Sequence, residues 1–362
     1  MRKPTVLFVT YAQQEPFSLI GVLKRCFRLV AELPGHWRIH VHNFGHLPWR
    51  DPLIEQVRPR ISYSEGPAAT EAFASGALLR AVRPDVVVIG ESPLEGRLLQ
   101  AYRICAAARI PQICIENYYG EVMRFHIALS YRYIRRWLLI GLREPGTLER
   151  PIPRAEVVAP LVALPERPSF FRDSGVCILG YDEKTLRVGL SLAIRLPEGV
   201  PATVLIRPGL EGIAAAARQR RKGLEIRPIP SDCDLFRLMA EARIVVCKNG
   251  FQQMTEAVGL GTPVIACPQT GGVPSELLPP HLASFIRYVT EEGVAEAVPV
   301  AFHWLSRRPA SPWSAEPLWG RDLRKRAAER LTTLIQDLHG GEAVSAGPGL
   351  RCAPVTALGR LC

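Results

Sequence analysis

The chain has 362 residues, of which 48% are hydrophobic, and its formal net charge is +11. This length fits two domains better than one core. A membrane-spanning helix is excluded because no run of about 18 uncharged apolar residues is present, and the N-terminal residues lack the features of a secretory signal. The nine cysteines form no C-x-x-C pair, so we expect free thiols in a reducing cytoplasm.

An alternation of apolar strands and helices fills the first half of the sequence. The predicted strands are Thr5 to Thr10, Trp37 to Asn43, Asp85 to Gly90 and Gln112 to Glu116, and the predicted helices run from about Phe17 to Glu32, Thr70 to Ala81 and Leu94 to Ala108. Near-continuous apolar strands separated by helices indicate a parallel sheet that is covered on both faces. We expect this first domain to comprise residues 1–162.

The positive charge of the chain favours an anionic partner. No nucleic-acid-binding module is recognisable, so anionic substrates or an anionic membrane surface are the better candidates. The segment from Ile127 to Ile140 combines aliphatic, Tyr and Trp side chains with arginines and has no acid. This composition predicts either a helix in a membrane interface or a core helix with one basic edge. We therefore expect a cytoplasmic protein, either free or peripheral at the inner face of the membrane.

A second alternation begins after a proline-containing linker. The predicted strands are Gly175 to Leu179, Ala202 to Ile206, Leu224 to Ile229, Ala242 to Cys247 and Val264 to Cys267, and the predicted helices include Leu186 to Leu196, Cys233 to Ala242 and Arg321 to His339. We expect a second domain at residues 163–310 and a terminal helix, within 311–339, that packs back toward the first domain. Residues 340–362 lack periodicity and are predicted to be disordered.

The segment from Lys248 to Pro268 carries the strongest functional pattern. It follows an apolar strand, turns at Gly250, continues as a helix containing Glu256, and ends at Gly261-Thr262-Pro263 before the next strand. A strand, tight turn and helix in this order direct free backbone N–H groups and the positive helix end at one point, which suits a phosphate. Glu256 could accept hydrogen bonds from a ribose. An ordinary strand-helix-strand unit without a ligand is the alternative.

The spacing of this segment resembles the nucleotide-sugar signature of GT-B glycosyltransferases. Six positions separate Gly250 from Glu256, five separate Glu256 from Gly261, and five separate Pro263 from Pro268. The pattern is most similar to the lipid-linked N-acetylglucosaminyltransferase of peptidoglycan synthesis and to related UDP-glycosyltransferases. The resemblance implies two Rossmann-like, doubly wound α/β domains that face a central cleft. It also implies an inverting, metal-independent transfer from a UDP-sugar, without a cofactor, to an acceptor hydroxyl or phosphate, with a lipid-linked acceptor as one option.

The same resemblance assigns donor-binding positions. Gly250 would meet the diphosphate, Glu256 the ribose hydroxyls, and the loop after Pro268 the sugar. The full donor set is Gly180, Ile229, Asn249, Gly250, Phe251, Gln252, Gln253, Glu256, Gln269, Thr270 and Glu276. The chain departs from the family at Asn249, Gln253 and Glu276, where a glycine, a Thr or Ser, and a Gln are common.

The acceptor side is harder to assign because the family's glycine-rich first loop is missing. Glu15 falls about where related transferases keep a catalytic histidine, and a partly desolvated carboxylate can take the proton of the acceptor. Four other acids compete for this role: Glu91, Glu95, Glu116 and Glu121. His40, His42 and His46 have no acidic partner nearby in the sequence, so we expect no metal site.

Two other functions remain open from the sequence. The first is UDP-N-acetylglucosamine 2-epimerase, to which Leu260-Gly261-Thr262-Pro263 and Pro274-Ser275-Glu276 are similar, although its early Gly-Thr-Arg-Pro-Glu signature is absent. The second is a non-catalytic GT-B-like protein that binds a nucleotide sugar and partners an enzyme. The missing first-loop glycines and histidine favour that reading.

Overall fold

The structure is a computed structural model. The residues that it describes are 3–12, 20–45, 52–91, 98–117, 127–128, 130, 132–141, 152, 154–158, 161, 175–230, 232–269, 272–273, 275, 285–306 and 322–340.

Within these residues, a first sheet of seven strands lies in the first half of the chain. Its strands are β1 (Thr5–Thr10), β2 (Arg38–Asn43), β3 (Ser62–Glu65), β4 (Val86–Ile89), β5 (Gln112–Asn117), β6 (Arg136–Ile140) and β7 (Ala155–Val158). Their spatial order is β3-β2-β1-β4-β5-β6-β7, and all pairs are parallel. The order reverses between β1 and β4, which is where doubly wound sheets open a crevice for ligands.

A second sheet of six described strands follows the same rule. Its strands are β8 (Val176–Gly180), β9 (Ala202–Ile206), β10 (Leu224–Pro228), β11 (Ile244–Lys248), β12 (Val264–Cys267) and β13 (Ile286–Tyr288). Their order is β10-β9-β8-β11-β12-β13, again with parallel pairing throughout. The switch point of this sheet lies between β8 and β11.

Helices cover both sheets. Those of the first half are α1 (Ile20–Glu32), α2 (Pro52–Val57), α3 (Pro67–Ala74), α4 (Ala77–Val82) and α5 (Leu99–Ala107). Those of the second half are α6 (Glu183–Arg195), α7 (Glu211–Arg220), α8 (Asp232–Glu241), α9 (Phe251–Gly259), α10 (Val294–Ser306) and α11 (Leu323–His339). Among the described residues, no helix is both long and apolar enough to cross a membrane.

The predicted fold class is therefore confirmed: two doubly wound parallel sheets, each covered by helices. The strands β1, β9 and β12 have the predicted bounds, because each is a mainly apolar run that is buried along its length. One apolar cluster continues from the first half into the second, and it includes Phe27 of α1 and Phe236 of α8. The two halves consequently pack against each other.

Two predicted elements are corrected by the structure. The segment predicted as a helix from Ile127 to Ile140 is not one helix, since its last five residues form β6, the second strand from the edge of the first sheet, in which Trp137 is fully buried. The proposed membrane-interface helix is therefore wrong, because the apolar side chains of this strand pack inside the sheet. The helix predicted from Thr70 to Ala81 is two helices, because Gly76 adopts a left-handed conformation with φ of 71° and ends the first.

The last helix, α11, packs on the first half of the chain, although it follows the second sheet in sequence. It lies against α1, β4 and β7. Its apolar stripe includes Ala327 and Leu331, both fully buried, while Arg324 forms an ion pair with Glu32 of α1 at 2.6 Å. The predicted linker after Val162 and the predicted disordered tail from 341 onward lie outside the described residues.

A buried histidine makes the first domain sensitive to acid. His42 is fully buried and stacks on Phe73, and burial, with a smaller contribution from the nearby His40, lowers its pKa from 6.5 to about 4. Below pH 6.5 the unfolded chain takes up a proton that the folded chain rejects. The free energy of unfolding should therefore fall as the pH is lowered from about 6.5 to about 4. The contribution of His42 to this fall should be about 2 kcal/mol at pH 5 relative to pH 7.

This expectation is checked by urea unfolding of the wild type and of His42→Gln at pH 7 and pH 5. At pH 7 the variant should have the lower free energy of unfolding, because it loses packing. The difference in free energy of unfolding between the two proteins should be about 2 kcal/mol smaller at pH 5. His36→Gln, at an exposed position, serves as the control. A gap for His42→Gln that stays constant with pH would contradict the assignment.

Candidate functional site at the cleft between the two sheets

The switch point of the second sheet places a helix N-terminus at the carboxyl ends of β8 and β11. Helix α9 begins after Gly250, whose backbone is extended and which has no side chain to cap the helix. The first N–H groups of an α-helix have no partner within the helix. Together with the helix dipole, they make this end of α9 a favourable place for an anion.

A lysine runs past the same helix end. The Cε atom of Lys248 lies 3.2 Å from the position that a Cβ atom on Gly250 would occupy, so a larger residue at 250 would displace the lysine side chain. Burial lowers the pKa of Lys248, and the Asp182 carboxylate partly offsets this effect. Asp182 itself caps α6 by accepting the Thr185 N–H at 2.8 Å. The edge thus combines a desolvated cation with a helix N-terminus.

Asn249 fixes the loop that follows β12. Its Oδ1 atom accepts the Gln269 N–H at 2.8 Å, and its Nδ2 atom donates to the Val273 carbonyl at 3.2 Å. A Cβ atom on Gly272 would lie 2.0 Å from Asn249 Oδ1, so glycine is required there. The departure from the family's glycine at 249 therefore has a structural consequence, since the amide side chain ties the loop to α9.

Removing this tie should loosen the loop. We expect Asn249→Ala and Gly272→Ala each to lower the free energy of unfolding by about 1–3 kcal/mol, through lost hydrogen bonds to buried groups in the first and a steric clash in the second. Gly212→Ala is the matched control: nothing lies within 4 Å of its Cβ position in α7, and alanine there should be neutral or stabilising by up to about 1 kcal/mol. Chemical unfolding measures all three, and a Gly272→Ala variant as stable as Gly212→Ala would refute the account.

Glu256 lies on α9 and faces the first domain. Only 2% of the residue is exposed, and its Oε1 atom forms an ion pair with Arg28 of α1, whose side chain is also 2% exposed. The Arg28 guanidinium lies 5.0 Å from the centre of the Phe236 ring of α8. The carboxylate that the sequence assigns to a ribose is thus held by a cation from the opposite domain.

Further contacts join α1 to the second domain along the same face. The Nζ atom of Lys24 lies 5.9 Å from the centre of the Tyr181 ring, which follows β8. A Cβ atom on Gly21 would lie 3.0 Å from Gln252 Oε1 of α9. Gly21, Lys24 and Arg28 therefore form the wall of the cleft that faces the second sheet.

The next residue of this helix, Arg25, faces its own domain. It donates to the Gly90 carbonyl at 2.8 Å and to Asn117 Oδ1 at 3.0 Å, and it lies 3.6 Å from Glu116 Oε1. Arg25 thereby links the carboxyl ends of β4 and β5. Glu91 also lies at this edge and is buried, and its carbonyl accepts the hydroxyl of Tyr102 at 2.6 Å.

Comparison with solved structures identifies the architecture. A UDP-glucosyltransferase from Polygonum tinctorium has a TM-score of 0.61 and 12% identity, over 93% of this chain and 100% of that one. A candidate UDP-N-acetylglucosamine 2-epimerase from Listeria monocytogenes has a TM-score of 0.60 and 12% identity, over 93% and 96%. MurG of Acinetobacter baumannii has a TM-score of 0.55 and 13% identity, over 92% and 100%. The chain has the GT-B fold.

The GT-B fold predicted from the signature around Gly250 is confirmed, and at these identities the comparisons establish the fold alone. No protein-family model matches the chain, and no curated protein matches its sequence. The roles of individual residues therefore depend on the geometry of the cleft.

The structure distributes the predicted donor residues unevenly over this GT-B cleft. Asn249, Gly250, Gln252 and Glu256 lie at the switch point or face α1, as described above. Gln269 joins them, because its Nε2 atom donates to Thr185 Oγ1 at 3.0 Å.

Other predicted donor residues serve the packing of the second domain. The side chains of Phe251 and Ile229 are buried in the apolar cluster. A Cβ atom on Gly180 would lie 3.1 Å from the Leu205 carbonyl, so the small size of Gly180 allows close strand packing. Gln253 has a buried Oε1 atom with no hydrogen-bond partner among the described residues.

Several predicted residues cannot be placed. Glu15, Thr270 and Glu276, and the competing acids Glu95 and Glu121, lie outside the described residues. Within the described part of the chain, no group of three or more His, Cys, Asp or Glu side chains could hold a metal ion.

Sequence reasoning missed the basic face of α1. Lys24, Arg25 and Arg28 are all buried, with exposures of 4%, 5% and 1%, which is unusual for residues of this type. Their spacing with Gly21 is i, i+3, i+4 and i+7, which places the four on one side of the helix, with Arg25 at the edge that turns toward its own domain. This spacing is visible in the sequence and could have predicted the basic stripe. The other side chains of the helix are mainly apolar and pack in the core.

Proposed function

We propose that the protein is a glycosyltransferase that moves a sugar from a UDP-sugar to an acceptor hydroxyl or phosphate. Residues 163–310 would form the donor domain and residues 1–162 the acceptor domain, with the reaction in the cleft between them. The observation that carries the proposal is the N-terminus of α9 at a sheet switch point, with Lys248 beside it and Glu256 on the same helix facing the opposite domain.

This arrangement suits the leaving group of a sugar transfer. As the bond between sugar and diphosphate breaks, negative charge develops on the diphosphate, and preorganised N–H donors and cations in a dry site stabilise that charge. The helix end supplies the donors, and Lys248 supplies a cation that already lies in a desolvated position. Thymidine diphosphate sugars are the less favoured donors, because the segment from Lys248 to Pro268 resembles the UDP-sugar enzymes most.

The acceptor would enter from the first domain. Glu15, Glu91 and Glu116 are the candidate bases, and an inverting transfer needs only one of them to take the proton of the acceptor. Of the two described acids, Glu116 already interacts with Arg25 and accepts the Asn117 N–H at 2.7 Å. Glu91 is buried at the same edge, next to the carboxyl end of β4. A lipid-linked acceptor remains part of the proposal. The predicted membrane-interface helix does not support it, because the end of that segment is the strand β6.

A screen of nucleotide sugars by thermal shift tests the proposal first. UDP-sugars should raise the melting temperature, since a ligand that binds only the folded state stabilises it in proportion to its concentration over Kd. Release of UDP should then be measured with and without candidate acceptors. Acceptor-dependent release identifies a transferase. Binding without release under any acceptor would leave a non-catalytic nucleotide-sugar-binding protein instead.

A 2-epimerase is the second candidate function, because one of the similar structures carries that name. The same incubations distinguish the two. An epimerase would interconvert UDP-N-acetylglucosamine and its 2-epimer without an acceptor, and proton NMR of the recovered sugar detects this directly. A transferase would leave the configuration at C2 unchanged.

Catalysis should not depend on a divalent cation. The Asp-x-Asp sequence of the chain, Asp232-Cys233-Asp234, lies in the first turn of α8, and the end of α9 with Lys248 can stabilise the diphosphate alone. We expect turnover after EDTA treatment to stay within about twofold of the untreated enzyme. Loss of activity in EDTA and its recovery with Mn²⁺ would show that a metal takes part.

A further inference from the structure

The amino ends of the seven strands of the first sheet lie along one edge, because all the strands are parallel. A basic residue stands at the start of each strand or within three residues before it. In the spatial order of the strands from β3 to β7, these residues are Arg60, Arg38, Lys3, Arg83, Arg109, Arg135 and Arg154. We call this row the basic edge. Neighbouring strands lie about 4.8 Å apart, so the row is roughly 30 Å long.

Most of the basic edge faces solvent without a counter-charge. All of its side chains except Arg154 are exposed, and none of the exposed ones forms an ion pair with a described residue. The acids nearby are engaged elsewhere. Asp85 accepts the Thr5 N–H at 2.8 Å, and Glu156 lies 3.7 Å from Arg330 of α11. The basic edge therefore carries uncompensated positive charge.

The second sheet has no comparable row. Among its described residues, a basic side chain stands within three residues before a strand only at β10 and β11, as Arg221, Lys222 and Arg243. Arg221 donates to the Leu196 carbonyl at 3.1 Å, and Arg243 donates to the Leu305 carbonyl. These two arginines thus stabilise their own domain. Since both sheets have the same doubly wound design, the fold alone does not require the basic edge.

Three arginines of the basic edge adopt a left-handed backbone conformation. The φ angles of Arg83, Arg109 and Arg154 are 52°, 56° and 60°. This conformation is unfavourable for residues with a Cβ atom, whereas glycine adopts it readily. Arginine at these positions therefore contributes something other than backbone stability. Replacement by glycine would remove the charge without opposing the local conformation.

An apolar groove of about 470 Å³ opens beside the basic edge. It lies between α4 and the end of α5, and Arg80 lines it together with the apolar residues Leu79, Ile104, Ala107, Ala108 and Ile110. Arg83 follows α4 directly, and Arg109 follows α5. Cations next to an apolar surface are the combination that binds a membrane interface, because the cations attract anionic headgroups while the apolar groups meet the acyl boundary.

We propose that the basic edge is a docking surface for an anionic phospholipid membrane, with lipid headgroups against its arginines and the apolar groove at the acyl boundary. This surface differs from the interface helix predicted from the sequence, since all seven strands contribute to it. Single-stranded nucleic acid fits less well, because its bases stack on exposed aromatic side chains. Within the described part of the chain, the one exposed large hydrophobic side chain is Phe302, on α10 of the second domain.

The inference goes beyond the proposed function and does not rest on it. The proposed cleft lies at the carboxyl ends of the strands, whereas the basic edge lies at their amino ends. Membrane binding can therefore be measured without a substrate.

Vesicle sedimentation tests the inference, with vesicles of phosphatidylcholine alone and of phosphatidylcholine mixed with phosphatidylserine. The wild type should bind the mixed vesicles about tenfold more tightly or better, because only these attract cations. Added NaCl should weaken this binding by screening the charges. The double variant Arg83→Gly with Arg109→Gly should bind the mixed vesicles about 10- to 30-fold more weakly, since each basic residue near an anionic surface adds to the attraction.

Arg218→Gln with Arg220→Gln is the matched control. Both arginines are exposed in the last turn of α7, in the second domain, so this variant loses the same net charge at a different place. Its affinity for the mixed vesicles should stay within about threefold of the wild-type value. An equal loss in both double variants would mean that net charge alone governs binding, and this result would overturn the inference.

The remaining outcomes are equally direct. Wild type that binds both kinds of vesicle alike, or neither, overturns the inference, as does an Arg83→Gly, Arg109→Gly variant with wild-type affinity. Binding of a labelled single-stranded oligonucleotide, lost in that variant, without binding to the mixed vesicles would assign the basic edge to nucleic acid instead. If the variant is not folded by circular dichroism, Arg38→Gln with Arg135→Gln removes two other charges of the row and should give the same loss; wild-type affinity there also overturns the inference. The thermal shift by UDP-sugars should be unchanged in these variants, and its absence in the wild type would count against the proposed function alone.

Discussion

Replacing Glu15 by Gln should reduce turnover about 100-fold or more. The expectation follows from the position of Glu15 after the first strand, about where related transferases keep their catalytic histidine. Gln has the same size and can hydrogen-bond, but it cannot take the proton of the acceptor, and general base catalysis contributes about 10²–10⁴-fold. Donor affinity should change little, because the proposed donor residues lie on the other domain. Steady-state kinetics and donor calorimetry together measure both effects.

Glu91→Gln and Glu116→Gln are the comparison variants for this prediction. Glu116→Gln weakens a contact with Arg25, which links β4 to β5, so its main effect should be on stability. Glu91→Gln removes a buried carboxylate at the same edge. Near-normal turnover in the Glu15 variant and a 100-fold loss in the Glu91 variant would transfer the role of base to Glu91.

Replacing Glu256 by Ala should weaken donor binding by about 1.5–3 kcal/mol, the range for a hydrogen bond to a charged group. The structure adds a second expectation, because Glu256 is also the partner of Arg28. Removing one side of a buried ion pair costs about 3–5 kcal/mol of stability. The variant should therefore be less stable and bind UDP-sugars roughly 10- to 150-fold more weakly.

The two effects of Glu256→Ala are separated by measuring affinity on protein that is shown to be folded by circular dichroism. Glu256→Gln provides the second point, since it keeps one acceptor for Arg28 and for a ribose hydroxyl. It should show a smaller loss of both stability and affinity. Donor affinity in Glu256→Ala equal to that of the wild type would remove this residue from the donor site, whatever the change in stability.

The strands that the sequence predicted well are those whose burial is complete. β1, β9 and β12 are mainly apolar and are buried along their length, which is the sequence pattern expected of a strand inside a parallel sheet. β3 was missed because Ser62–Glu65 is a half-exposed edge strand without an apolar run. β6 was misread because arginines precede Trp137 and its apolar neighbours. Their composition fits a membrane-surface helix as well as a strand entering a sheet.

The candidate site was predictable only where its residues are close in sequence. The turn at Gly250 and the position of Glu256 on the following helix depend on local spacing. The partner of Glu256 does not, because Arg28 precedes it by 228 residues and reaches it only after both sheets have formed and packed. The role of Asn249 in fixing Gly272 is equally a matter of tertiary contact. Neither the Arg28–Glu256 ion pair nor the contact between Asn249 and Gly272 can be predicted from one sequence without its fold.

The placement of α11 has a consequence for the order of events during synthesis. The first sheet is complete when β7 leaves the ribosome, but Ala327 and Leu331, which cover part of its core with α1, are made more than 150 residues later. Domains generally fold as units while the chain emerges. The second domain should therefore finish first. The first domain would remain uncovered on one face until α11 has been made, and would expose that apolar face for longer than the second domain does.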